Sequence, residues 1–244
     1  RGPHIKHDKN ASHAHKDGRL LRDNVYGTLE EDAWRRDFTV NALYLDPKKK
    51  TVIDYVGGIE DHQQRILRLM GDPVTRFKED PVRLIRAIRF QAKLNFQIES
   101  NTAAPITKMA PLLKDIPAAR LYDEVLKLFL NTHATQIFEL LRQYGLFEAL
   151  FPQTELCLNN ADSDAPLRFI KQAMTNTEAR LKNNQHVTPY FLLATLLWEP
   201  VRRLTEQNRS SFHSDTQAIH AAANEVIAHQ ISRLAIPRRM TTPM

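Results

Sequence analysis

Two short stretches of this sequence combine guanidinium, carboxylate and amide side chains densely enough to do chemistry. The first is Arg35-Arg36-Asp37-Phe38-Thr39-Val40-Asn41-Ala42. Its guanidinium groups could meet phosphate, while Asp37 or Asn41 could hydrogen-bond a sugar hydroxyl. The same residues also read as a salt-bridged helix end with a buried Asn satisfying strand termini. The second is Glu79-Asp80-Pro81-Val82-Arg83-Leu84-Ile85-Arg86-Ala87-Ile88-Arg89-Phe90, where Arg83, Arg86 and Arg89 step by three. Glu79 and Asp80 lie one helical turn ahead of Arg83. An acceptor beside donors is the edge pattern that reads a nucleobase, and the further arginines could follow a triphosphate. The plainer alternative makes Asp80 an N-cap and the arginines a solvated face.

The elements that must position these residues are legible on either side. Thr28-Leu29-Glu30-Glu31 has the form of a capping box and predicts a helix to about Arg36. Residues 38–45 read as a strand, with Thr39 and Asn41 on the face opposite Phe38 and Val40. A turn at Asp46-Pro47 and the lysines 48–50 leads to a return strand over 51–56, which Gly57-Gly58 ends. A further short strand is predicted over 65–70. No strand–helix–strand rhythm occurs, which argues against a doubly wound parallel sheet.

Beyond residue 72 the period becomes helical. Asp80-Pro81 places a cap residue before proline at the first helical position, and Val82, Ile85, Ile88 and Ala92 share one side. A helix from Pro117 carries Leu121, Val125, Leu128 and Phe129, and another carries Ile137, Leu140, Leu141 and Tyr144 with Gly145 as its C′ residue. Residues 152–166 read as a polar, proline-bounded loop, and helices resume over 166–182, 188–199 and 214–234. Trp34 and Trp198 read as core or staple residues.

The 244 residues carry 34 Lys and Arg against 28 Asp and Glu, a formal charge of +6, with 42% hydrophobic and 25% charged residues. This is the composition of a soluble globular chain and excludes disordered and collagen-like classes. No apolar stretch is long enough for a membrane span. The single cysteine, Cys157, permits no internal disulfide, sits without a neighbouring His, and fits a reducing cytosol. Residues 1–22 hold six basic residues against Asp8 and Asp17, with almost no apolar ones, and read as a flexible basic arm. His4, His7, His13 and His15 within it could hold a transition metal, but lack a fixed ligand geometry. No glycine-rich phosphate loop, serine elbow or zinc spacing is present, and Gly57-Gly58 carries no following helix signature.

At its two clusters the chain resembles the bacterial poly(A) polymerase and CCA-adding tRNA nucleotidyltransferase family, through the motifs RRDFTxNA and EDxxRxxRAxRF. The intervening Asp54-Tyr55-Val56-Gly57-Gly58 with Asp61 is similar too. The lead-in over 20–33, the segment Asp115-Ile116-Pro117-Ala118-Ala119-Arg120-Leu121 and the end Leu234-Ala235-Ile236-Pro237-Arg238-Arg239 look like the poly(A) polymerase branch. The resemblance implies an α+β chain: a remnant of a polymerase-β-like antiparallel nucleotidyltransferase sheet, followed by an all-helical neck and body. The expected organisation is a flexible basic loop over 1–24, a partial head over 25–72, a neck over 73–151 and a body over 152–244.

The resemblance also implies roles. Arg36, Asp37 and Asn41 would contact ribose and phosphates of an incoming nucleotide; Asp80 and Arg83 would face the base, with Arg86 and Arg89 near the triphosphate. The parent protein would add AMP from ATP to RNA 3′ ends without a template, in the cytoplasm. Mg²⁺ would be held by Asp-x-Asp carboxylates that the family carries upstream. The one Asp-x-Asp here, Asp162-Ser163-Asp164, lies outside any predicted strand. The start on Arg1 and this departure lead us to expect a fragment with no catalytic or metal residue of its own and no activity alone. A CCA-adding enzyme and a non-catalytic helical RNA-binding module are the alternatives.

Overall fold

A computed structural model describes residues 27–237, so the expected arm at 1–24, with His4, His7, His13 and His15, lies outside the described residues, as do Arg238 and Arg239. The Thr28 capping box forms as predicted and starts α1 (Leu29–Arg35), whose C-cap Arg36 turns to extended backbone. Next comes β1 (Leu43–Asp46), paired antiparallel with β2 (Thr51–Asp54) in a register that sets Leu43 opposite Asp54 and Asp46 opposite Thr51. The predicted strand over 38–45 is thus broken. Phe38 makes only an isolated bridge to Leu69, and Thr39–Asn41 form a 3-10 turn. Thr39 and Asn41 therefore do not share the face that strand alternation assigned them.

The second glycine explains where that turn goes. A Cβ at Gly58 would stand 2.4 Å from the Thr39 carbonyl oxygen, so only glycine lets the two backbones meet. Contrary to the reading of Gly57-Gly58 as a plain terminator, a helix follows: α2 (Gly58–Gln64), with Gly57 at φ +81°. Its amino-terminal donors are taken by Asp54, whose Oδ1 accepts from the N–H groups of Val56, Gly57 and Gly58 at 3.0, 3.0 and 3.1 Å. Asp54 Oδ2 accepts from Ile59 at 2.9 Å. The predicted strand over 65–70 contracts to β3 (Ile66–Leu67), which pairs parallel with β4 (Gln97–Ile98).

Helices make up most of the rest. Unpredicted α3 (Pro73–Glu79) is capped by Asp72, and α4 (Val82–Leu94) follows after Asp80 and Pro81. Short α5 (Ser100–Ala103) and α6 (Ile106–Met109) lead to α7 (Ala118–Phe129) and α8 (Ala134–Gln143), with Gly145 at φ +70° just past α8 as its type and position foretold. Then come α9 (Leu146–Leu150), α10 (Pro152–Asn159), α11 (Ala165–Lys182), α12 (Pro189–Asn208) and α13 (Asp215–Ile231). The predicted core stripes are buried: Val82, Ile85, Ile88 and Ala92 on α4, and Leu121, Val125, Leu128 and Phe129 on α7. One buried cluster runs from Phe38 through these helices to Ile236, and a second, small one holds Ala33, Ala42 and Met70. The architecture is α+β, with a small sheet remnant before a long helical run.

Three readings need correction. Residues 152–159 are helix, not loop: the buried side chains of α10 are polar, Thr154 and Glu155, so no apolar period announced it. Thr154 Oγ1 donates to the Leu196 carbonyl at 2.7 Å. That carbonyl lies four residues before Pro200, which has no N–H to offer it. The hydroxyl thus supplies the missing donor, and α12 continues through Pro200 rather than ending at 199. Finally, Trp34 and Trp198 are 54% and 44% exposed, so neither is a core residue.

Candidate functional site

The first motif sits where α1 ends. Arg36 pairs with Asp32 one turn earlier at 2.9 Å, and Asp32 also accepts the Tyr44 hydroxyl from β1 at 2.6 Å. The Tyr44 hydrogen bond and the Arg36 pair hold the Asp32 carboxyl below the usual carboxylate range. The guanidinium of Arg36 lies 5.4 Å from the centre of the Tyr44 ring, so sheet and helix together fix it.

Asp37 is a junction. Its Oδ1 accepts from the Phe38 N–H at 2.9 Å and from Asn41 Nδ2 at 3.0 Å. Its Oδ2 accepts from Arg86 Nε at 2.6 Å and faces Arg86 Nη2 at 2.5 Å. An ionised carboxylate offers about four acceptor sites, and all four are used. Asn41 is presented to Asp37 by the 3-10 turn, not by a strand face.

The second motif sits at the α3–α4 junction. Asp80 is extended, Pro81 is already helical, and Asp80 Oδ1 accepts from the Val82 N–H at 3.3 Å. By these dihedrals Asp80 caps α4 with proline at the first helical position, as the sequence indicated. Its other oxygen pairs with Arg120 of α7 at 2.7 Å. Arg83 turns inward: only 6% exposed, it donates Nη1 to the Arg76 carbonyl at 2.7 Å and to Glu79 at 3.1 Å. Burial pulls the Arg83 guanidinium below its ordinary value and the neighbouring Arg76 adds to this, against Asp80 and Glu79. A solvated arginine ridge is therefore not what α4 presents.

These residues meet around one cleft of 470 Å³, lined from the α1 end by Arg35, Arg36, Asp37 and Asn41, by Asp80 and, from α4, by Val82, Arg83, Arg86 and Phe90, and from α7 by Arg120 and Glu124. Six of the seven residues singled out in the sequence line it. Arg89 does not. Its Nη1 lies 4.0 Å from Glu124, its guanidinium stands 5.1 Å from the Phe90 ring centre, and its buried Nε has no partner. Burial lowers its pKa, chiefly against the pull of Glu124. Arg120 and Glu124 were missed. They come from α7, and only the folded chain brings them to the cleft, Arg120 through its pair with Asp80.

Five arginines against three carboxylates give the cleft a positive excess, suited to an anionic ligand with an aromatic or hydrogen-bonding part. Among the described residues no group of three or more His, Cys, Asp or Glu side chains could hold a metal ion. The described residues do not fit a divalent-metal centre. No helix among the described residues is long and apolar enough to cross a membrane.

Three segments of the chain match family models of known proteins. Residues 4–68 match the "Poly A polymerase head domain", residues 95–158 the "Probable RNA and SrmB-binding site of polymerase A", and residues 212–244 the "Polymerase A arginine-rich C-terminus". The chain is 45% identical over 237 residues to poly(A) polymerase I of Salmonella typhi, covering 96% of this chain and 51% of that protein. It thus spans about half the length of the curated relatives it matches. A CCA-adding enzyme of Streptococcus gordonii is 45% identical over 123 residues, 50% of this chain and 31% of the relative. Among solved structures, the Thermotoga maritima CCA-adding enzyme complexed with tRNA superposes with a TM-score of 0.62 at 23% identity, over 87% of this chain and 46% of that one. That likeness establishes the fold.

Proposed function

This chain belongs to the bacterial poly(A) polymerase family, and from that premise we propose that its protein adds AMP from ATP to RNA 3′ ends without a template. The observation that supports this reading is the cleft itself, in which Arg36, Asp37 and Asn41 from one motif face Asp80, Arg83 and Arg86 from the other. Arg36 and Arg86 bind the phosphates. Asp37, with its acceptors engaged by Asn41 and Arg86, aims those two groups at ribose and phosphate. Asp80 and Arg83 meet the adenine edge, Arg120 holding the Asp80 carboxylate in place. Arg89 stands behind Phe90 and adds positive potential beneath the triphosphate.

A divalent cation, Mg²⁺ in this reading, would supply Lewis-acid charge to such a transfer, and no group of the described carboxylates would hold it. The helical segment provides RNA-binding surface, and the protein acts in the cytoplasm. Residues 25–72 form the partial head, 73–151 the neck and 152–244 the body.

Two relatives share this chemistry, so the substrate decides between them. The intact protein is incubated with Mg²⁺, a generic RNA and a tRNA lacking its terminal CCA, with ATP, CTP or both. Long A-tails from ATP alone on the generic RNA support the reading. Two cytidines and one adenosine on tRNA only would replace it with CCA addition, whose relatives match half of this chain. RNA binding without incorporation from either nucleotide would make it a non-catalytic RNA-binding protein.

A further inference from the structure

Arg76 belongs to neither motif and does not line the cleft, yet its guanidinium touches both halves of the site. From α3 its Nη2 donates to the carbonyl oxygens of Arg35 at 3.0 Å and Arg36 at 2.7 Å. These are the last carbonyls of α1, which lack partners within the helix and carry the negative end of its dipole. Its Nη1 donates to Glu79 Oε2 at 2.8 Å. The same Glu79 oxygen accepts from Arg83 Nη1 at 3.1 Å, and Arg83 Nη1 returns to the Arg76 carbonyl at 2.7 Å. The side chains of Arg76 and Arg83 are only 14% and 7% exposed, so their bonds to Glu79 are partly shielded from water, whereas the two carbonyls of the α1 end lie at the surface.

We infer that Arg76 is a positioning residue of the nucleotide site, locking the backbone that carries Arg36 and Asp37 to the Glu79–Arg83 pair. The inference rests on the reading of the cleft as a nucleotide site. The closed circuit has a specific geometric demand. A planar guanidinium serves two carbonyls and a carboxylate at once, whereas the single ammonium of lysine cannot reach all three in the same way. Without the fork, α1 loses the charged cap on its carboxyl end. Glu79 then swings with Arg83 alone, and the phosphate-facing and base-facing groups no longer share one frame. The neighbouring Asp37–Arg86 contact also spans this gap, but it reaches the second turn of α4 and includes neither Glu79 nor Arg83.

Equilibrium binding of ATP and of CTP to the intact protein, with its melting temperature, tests this on Arg76→Ala, Arg76→Lys and Arg83→Ala. Arg76→Ala is expected to weaken ATP binding on the order of tenfold, the scale of misplaced binding groups, and to shrink the preference for ATP over CTP. Arg76→Lys should fall between. A purely structural role would lower the melting temperature while leaving the affinity and preference of the folded protein unchanged. That result, with Arg83→Ala still losing preference, overturns the inference alone. If Arg76→Ala does not fold, full ATP affinity and preference in Arg76→Lys overturns it equally. Preference surviving in Arg83→Ala instead overturns the base-reading assignment, and the inference with it.

Discussion

Asp37 and Arg86, forty-nine positions apart, share a contact of 2.6 Å from Arg86 Nε to Asp37 Oδ2. The Asp37 side chain is 10% exposed and that of Arg86 29%, so the pair is partly shielded. It fastens the chain just past α1 to the second turn of α4, and both residues line the cleft. Removing Arg86 would leave a largely buried carboxylate uncompensated. Arg86→Met should therefore cost about 2 kcal/mol, within the range for hydrogen bonds to charged groups. Urea unfolding measures it, and stability equal to the parent would show that the pair carries no load.

Arg120 and Asp80 differ from that pair in exposure. The Arg120 side chain is 51% exposed, so its bond to Asp80 is worth under about 1 kcal/mol to folding. Arg120→Ala should leave the urea midpoint nearly unchanged. It should nonetheless relax discrimination between ATP and CTP, because the Asp80 carboxylate loses the partner that orients it. Competition binding reads the second effect. A large loss of stability with unaltered discrimination would reverse the assignment.

The Asp54 carboxylate predicts a pH dependence. Burial pushes its pKa up, but the N–H groups of Ile59, Val56, Gly58 and Gly57 together outweigh that and hold it below the ordinary value. A depressed folded pKa means stability that is present above the usual carboxylate range and lost as pH falls through the folded value. Asp54→Ala should cost about 1–2 kcal/mol at pH 7, the scale of a lost helix cap. The gap between the two proteins should narrow at about pH 3. Denaturant titrations at both pH values would show it, and a gap of equal size refutes it.

Thr154 supplies a fourth test, distant from the cleft. With Pro200 unable to donate, Thr154→Val strands the Leu196 carbonyl in the interior. An unsatisfied buried acceptor costs about 1–3 kcal/mol. Thermal unfolding should show this loss, with nucleotide binding unaffected in the folded protein. An unchanged midpoint would mean that the carbonyl finds another donor.

What the sequence by itself determined was local. The capping box at Thr28, the cap and proline at Asp80-Pro81, the stripes of α4 and α7 and the turn glycine at Gly145 each depend on neighbours within one or two helical turns. All of them formed. The two clusters of chemistry-bearing residues were legible for the same reason. Their partners were not. Nothing local tells that Arg83 points inward to Glu79, that Asp80 is held by Arg120, or that Asp37 spends its acceptors on Asn41 and Arg86.

Nor does local pattern show that α10 buries Glu155 against Arg142 at 2.8 Å. A buried polar face has no hydrophobic period, so the sequence of that helix has the pattern of a loop. The strand predicted over 38–45 failed because Gly58 brings α2 against the Thr39 carbonyl and bends the chain there. With 34 cations and 28 anions, sequence permits very many ion pairs. Only packing selects among them, because burial strengthens the few bonds that the core encloses and leaves the rest to water.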